Sequence, residues 1–191
     1  MESKFMGEVS DNAFGESDRL IIAGSGNVAL HIYKFAQILG YNITIIDSRA
    51  ETLTRERFPE AREILLGDIV KLLGSYNITE NTNIVLVSYQ HEFDEAALQA
   101  VIGSPARYIG VLGNKRKVTA YSNKLNLLGI SEELIDKVHL PVGLDLGGQR
   151  AAEIALAVMA EIQAVKYGRP GGFLTTKQVA DKGIELHDEL F

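Results

Sequence analysis

The sequence predicts a single Rossmann-type α/β domain, with a doubly wound, mostly parallel sheet and helices on both faces. Short β-branched runs alternate with longer segments of helical period, the pattern of a parallel sheet covered on both sides. One run, Ile84 to Val87, is wholly apolar, as a central strand should be. The first strand-to-helix turn, Gly24-Ser25-Gly26-Asn27-Val28-Ala29, has the spacing G-x-G-x-x-G/A.

The first strand is expected at Arg19 to Ala23. After the glycine turn, Val28, Ala29, Ile32, Phe35, Ala36 and Leu39 fall on one helical face, and Gly40 ends the helix. Tyr41 to Ile46 is the second strand, stopping at Asp47 before the polar loop Ser48 to Arg57. A short third strand at Glu63 to Leu66 precedes a short helix from Asp68 to about Leu73, and Ile84 to Val87 is the fourth strand. Helical spacing covers Asp94 to Ile102, and Tyr108 to Leu112 is the fifth strand. A helix begins soon after Gly113 and runs to Leu128; a shorter one follows with Ser131 as N-cap. The glycine-bearing stretch Pro141 to Gly148 marks a close-approach loop, and the alanine-rich helix Arg150 to Tyr167 carries Ile154, Val158 and Ile162 on one face. In domain terms, residues 1–18 read as a polar, partly disordered lead-in, 19–168 as the α/β domain, and 169–191 as a helical extension. That extension docks on the domain or on a second copy of the chain, and a homo-oligomer is expected.

Composition narrows the chemistry. The 191 residues suit one domain with a core of ordinary size. A net charge of −6 without a basic block argues against nucleic acid or an anionic membrane surface. No apolar run approaches the roughly 20 residues needed to span a bilayer, and no secretory signal opens the chain, so a cytoplasmic location is expected. There is no cysteine, which removes disulfides, thiolate nucleophiles and Cys-based zinc sites. The few histidines and acids show no metal-ligand spacing, so no metal is expected.

In the glycine fingerprint, the first glycine makes the turn, the second admits a pyrophosphate, and the small third residue lets helix and strand pack. Asp47 lies 21 residues past Gly26 at the end of the next strand, where a carboxylate accepts hydrogen bonds from adenosine ribose hydroxyls. Its charge would oppose a 2′-phosphate, which favours NAD over NADP. Arg49 is either the group that would meet a 2′-phosphate or a solvated loop cation. The expected dinucleotide-binding set is Gly24, Ser25, Gly26, Asn27, Val28, Asp47, Ser48, Arg49, Ser88 and Gly113. His91, just beyond the fourth strand, is the best acid-base candidate, or else part of a polar cap. Lys115, Arg116 and Lys117 open the helix after the fifth strand and suit an anion, or else solvent. Asp145 would bind a substrate hydroxyl or a metal, or stabilise its turn.

Three separated motifs resemble the C-terminal Rossmann domain of the XdhC/CoxI family. They are Gly24 to Ala29 with Asp47-Ser48-Arg49 and Arg57-Phe58-Pro59; Tyr108 to Gly113 with Lys115-Arg116-Lys117; and Pro141 to Gly147 with Glu153-Ile154-Ala155 and Ala160-Glu161-Ile162. The resemblance covers about residues 19–168. It implies an accessory factor that binds, sulfurates or inserts the molybdenum cofactor for xanthine dehydrogenase and related hydroxylases. The partners implied are a dinucleotide or molybdopterin, whose phosphate Lys115, Arg116 and Lys117 would meet, and a molybdenum hydroxylase apoenzyme. Family members usually add an N-terminal domain with a cysteine-bearing motif, absent from this sequence, so sulfur chemistry is not expected of its own residues. The family's Thr-His-Asp-His becomes Ser88-Tyr89-Gln90-His91, and its helix-opening Thr-Pro becomes Arg150-Ala151. Two other functions fit the fold: an NAD(P)-dependent oxidoreductase using His91, and a non-catalytic nucleotide sensor.

Overall fold

The structure, a computed structural model, describes residues 18–88 and 91–173, with backbone alone at 91–93 and 115–117. Six strands form one all-parallel sheet in the order β3-β2-β1-β4-β5-β6. They are β1 (Arg19–Ala23), β2 (Asn42–Asp47), β3 (Glu63–Leu66), β4 (Thr82–Leu86), β5 (Tyr108–Val111) and β6 (Val138–His139). The helices are α1 (Asn27–Ile38), α2 (Ile69–Ser75), α3 (His91–Val101), α4 (Lys115–Leu127), α5 (Glu132–Ile135) and α6 (Ala151–Lys166). This is the doubly wound Rossmann order, with its switch point between β1 and β4.

Strand period divides the core in two. Leu20 and Ile22 of β1 pack with Ile43, Ile45 and Val85 against α1 and α6, while Ile21 and Ala23 pack with Ile46, Ile84 and Leu86 against α2, α3 and α4. With both faces covered, the strands carry no alternating polar face, which explains their continuous apolar runs. The fold class read from sequence is the observed one.

Differences are local. Tyr33, not Leu39, completes the buried face of α1; Leu39 is the C-cap and 43% exposed, because the helix ends a residue before it. The fourth strand starts earlier, at Thr82, whose polar side chain is buried. The two-residue β6 had no run long enough to be read. Ser131 precedes α5 but makes no side-chain cap bond. Arg150 cannot cap α6 as Thr would; instead Glu153 reaches back to accept from the amides of Gln149 and Arg150, each at 3.0 Å. The expected N-terminal lead-in up to residue 17 and the segment Thr175 to Phe191 lie outside the described residues. Among the described residues, no helix is long and apolar enough to cross a membrane.

Candidate functional site

The sheet's hydrogen-bond ladder continues past the ends of its strands. Gly24 N donates to Ile46 O at 2.7 Å, Val87 N to Ala23 O and Leu112 N to Leu86 O at 2.9 Å, and Val142 N to Val111 O at 3.0 Å. Gly24, Ser88, Gly113 and Gly143 therefore leave the sheet in one row along its carboxyl edge, where ligands of open α/β sheets bind.

The two glycines of the turn do different work. Gly24 has φ +128°, and a Cβ there would lie 2.7 Å from the carbonyl carbon of Val87 and 3.1 Å from the amide nitrogen of Ser88. It lets β1 turn tightly against the end of β4. Gly26 is the extended N-cap of α1, and a Cβ there would have nothing within 4 Å. α1 has no side-chain cap and no acid in its first turn. Its free amides and positive dipole end meet open space at Gly26.

Ser25, between them, is buried with each polar atom engaged. Its amide and Oγ both donate to Asp47 Oδ2 at 2.7 Å. Because its hydroxyl proton is committed there, Thr52 is the donor in the 2.6 Å contact between the two hydroxyls. Its carbonyl accepts from Arg57 Nη2 at 3.2 Å, and Arg57 Nε is buried with no hydrogen-bond partner. The loop bearing Thr52 and Arg57 is pinned to α1: Phe58 is fully buried edge-on to Tyr33, centroids 5.2 Å apart, and Glu60 N donates to Tyr33 Oη at 2.9 Å.

Asp47, expected at the ribose, is only 2% exposed. Its Oδ1 accepts from the amide and Nε of Arg49 at 3.0 and 3.2 Å, and its Oδ2 from Arg49 Nη2 at 2.9 Å. Burial alone would raise its pKa; the hydrogen bonds from Arg49 and Ser25 outweigh that and hold the carboxyl below its usual range. The Arg49 side chain is 26% exposed and lies over the carboxylate. Ser48 is exposed beside it.

Across the switch point, Ser88 N donates to Asp94 Oδ1 of α3 at 3.1 Å, and Asp94 is itself buried. His91 is the first residue of α3, and Lys115, Arg116 and Lys117 form the first turn of α4 behind half-buried Gly113; the side chains of all four lie outside the described residues. The row brings Gly24–Val28, Asp47, Ser48, Arg49, Ser88 and Gly113 to one edge. Asp145 is exposed on the loop after β6, lining an open groove of about 480 Å³ with Val142, Leu144, Leu146, Ile154 and Ala157. Among the described residues, no three His, Cys, Asp or Glu gather as a metal site.

Sequence reasoning missed the buttress of that loop. Glu161 of α6 accepts from Gly143 N at 2.8 Å and from Tyr108 Oη, and its other oxygen lies 3.1 Å from His139 Nδ1. The His139 ring stacks on Tyr108, centroids 4.4 Å apart. Burial works against ionisation of Glu161, but hydrogen bonds from His139, Tyr108 and Gly143 hold its pKa low. Gly110 makes the room, since a Cβ there would lie 2.7 Å from the Tyr108 hydroxyl. Its occurrence between Tyr108 and Val111 was the available signal, though nothing local named its partners.

Turn, helix terminus and switch point are those of a Rossmann-type α/β fold. The family model of the XdhC Rossmann domain matches residues 20–162, and the chain belongs to that family. It is 33% identical to the uncharacterized protein YqeB of Escherichia coli K12 over 160 residues, 84% of this chain and 29% of that protein. It is 30% identical to the molybdenum cofactor insertion chaperone PaoD of the same organism over 99 residues, 52% of this chain and 31% of that one. Among solved structures, a xanthine dehydrogenase from Bacillus halodurans superposes with a TM-score of 0.69 at 26% identity, over 80% of this chain and 44% of that chain. The chain thus spans less than half the length of each of these relatives.

Proposed function

We propose that this chain is the phosphate-anchored ligand-binding domain of an accessory protein that serves the maturation of a molybdenum hydroxylase of the xanthine dehydrogenase type. The carrying observation is the open N-terminus of α1 at Gly26, uncapped and without an acid in its first turn. A phosphate fits it: the amides of Gly26, Asn27 and Val28 supply donors, and Arg57 supplies a cation beside the turn, its Nε buried and unpartnered. Both candidate ligand classes, NAD(P) and molybdopterin, carry phosphate. Membership in the XdhC Rossmann family and similarity to a molybdenum cofactor insertion chaperone support the accessory role.

In this role a molybdenum pterin is cargo. The chain's residues bind and present it, and since these 191 residues include no cysteine, none of their side chains supplies a thiol for sulfur transfer. Lys115, Arg116 and Lys117, at the start of α4 on the same sheet edge, are assigned to a second anionic group. Calorimetric titration with NAD, NADH, NADP, NADPH and molybdopterin tests the site; co-purification with a molybdenum hydroxylase apoenzyme, and recovery of that enzyme's activity, tests the role. Absence of both association and activation sinks the accessory role. Hydride transfer to a substrate, lost in His91→Ala, would replace it with the oxidoreductase reading.

A further inference from the structure

We infer that the subsite after β2 presents a cation rather than a carboxylate to its ligand, and so selects an adenosine bearing a 2′-phosphate: an NADP-type nucleotide over an NAD-type one. This rests on the nucleotide reading of the glycine turn. The preference for NAD read from sequence assumed an accessible negative charge at Asp47. In the structure that carboxylate is 2% exposed, and its two oxygens already accept five hydrogen bonds from Ser25 and Arg49. A ribose diol would have to displace Arg49 to reach it.

Arg49 is presented instead. Its Nε and Nη2 are fixed on Asp47 while 26% of the side chain stays exposed, so the pair aligns the guanidinium and neutralises the charge that would repel a phosphate. Arg57 stands on the same loop against the Ser25 carbonyl. Arg49, lying over the buried Asp47 carboxylate, and Arg57, on the Ser25 carbonyl, set two guanidinium groups on this side of the turn, matched to a dianionic phosphate ester and ill matched to a neutral diol. Arginine's planar fork suits phosphate. In this arrangement Asp47 is a positioning residue: it orients Arg49 and, through Ser25, shapes the turn.

Two probes differing only at the 2′ position test this: 5′-AMP and adenosine 2′,5′-bisphosphate, titrated calorimetrically into the wild-type chain, Arg49→Gln and Asp47→Asn, with melting curves to confirm folding. The wild type should bind the bisphosphate about ten- to a hundredfold more tightly, the range of one charge-assisted phosphate contact. The gap should narrow as salt rises. Arg49→Gln should close it, with 5′-AMP bound as well as before or better, because the Asp47 carboxylate is uncovered; a purely structural role for Arg49 would weaken both probes alike. Asp47→Asn should weaken both through the turn. Equal or tighter binding of 5′-AMP by the wild type overturns the inference and restores Asp47 as the diol reader. Binding of inorganic pyrophosphate with neither adenosine probe removes the nucleotide reading and the inference with it, while the anion site stands.

Discussion

The two glycines of the turn allow a sharp separation of architecture from ligand. At Gly24, alanine would adopt φ +128° and set its Cβ 2.7 Å from the Val87 carbonyl carbon. A disfavoured backbone state costs about 1–3 kcal/mol, and a clash with main chain on a central strand cannot be relieved by a rotamer change. Together these predict a loss of about 3 kcal/mol or more, a large share of the roughly 5–15 kcal/mol that holds a domain together. At Gly26, φ is −73° and a Cβ meets nothing within 4 Å, so alanine loses only the modest N-cap preference, about 0.5–1 kcal/mol. Thermal unfolding followed by circular dichroism, beside pyrophosphate titration, reads both. Gly24→Ala should melt about 6–12 °C lower, taking roughly 2–4 °C per kcal/mol for a chain of this size. Gly26→Ala should stay within about 3 °C of wild type yet bind pyrophosphate at least about tenfold more weakly, its methyl filling the approach. A stable Gly24→Ala would refute the close-packing account; a Gly26→Ala variant with undiminished binding would refute the phosphate assignment.

Glu161→Ala strands Tyr108 Oη and Gly143 N and should cost about 3 kcal/mol in urea unfolding, while Glu161→Gln, which keeps an acceptor, should lose less. Asp47, Glu161 and Asp18 all have lowered folded-state pKa values; for Asp18 burial pulls the other way, but Lys166 and Arg107 prevail. Their stabilisation is complete above the unfolded carboxylate values, near pH 4, and is lost as pH falls through the lower folded values, so acid titration should show stability dropping below about pH 4. Burial raises the phenol pKa values of Tyr108 and Tyr41 and, with Asp94 and Glu95 nearby, that of Tyr121 to about 12. These groups stabilise the fold below the unfolded value of about 10 and lose that contribution as pH rises through the folded values. Urea midpoints should therefore fall from about pH 10 upward, and a flat profile to pH 12 would contradict the burial of these phenols.

What the sequence disclosed follows the range over which each signal acts. Fold class came from local period: Leu20 to Ala23 and Ile84 to Leu86 are apolar throughout, and Ile43 to Ile46 is broken only by buried Thr44, because each strand is covered on both faces. The glycine turn was readable because its requirements lie within six residues, followed by one carboxylate 21 residues on. Helix ends were less so. Leu39 fits the period of α1 yet lies past its last turn, and Thr82 hides in β4 with a buried hydroxyl that Thr79 N donates to at 3.0 Å. β6 is too short to carry a period of its own.

The candidate site was half readable for the same reason. Proximity of Asp47 to the turn was inferable; its saturation was not, because that depends on Arg49 folding back and on Ser25 donating twice from 22 residues away. Arg57 meets Ser25 across 32 residues and Tyr108 meets Glu161 across 53. Such contacts exist only once the sheet has assembled. They also tie ligand readiness to the loop after β2: Phe58 and Glu60 dock that loop on Tyr33, and the docked loop aims Thr52 and Arg57 at Ser25. The two sides of the turn are thus made differently. Gly24 fits it to β4 by leaving out a side chain, whereas Asp47, Thr52 and Arg57 grip Ser25 by adding three. Between them the α1 terminus is left without a side-chain cap, which is the opening that the proposed phosphate requires.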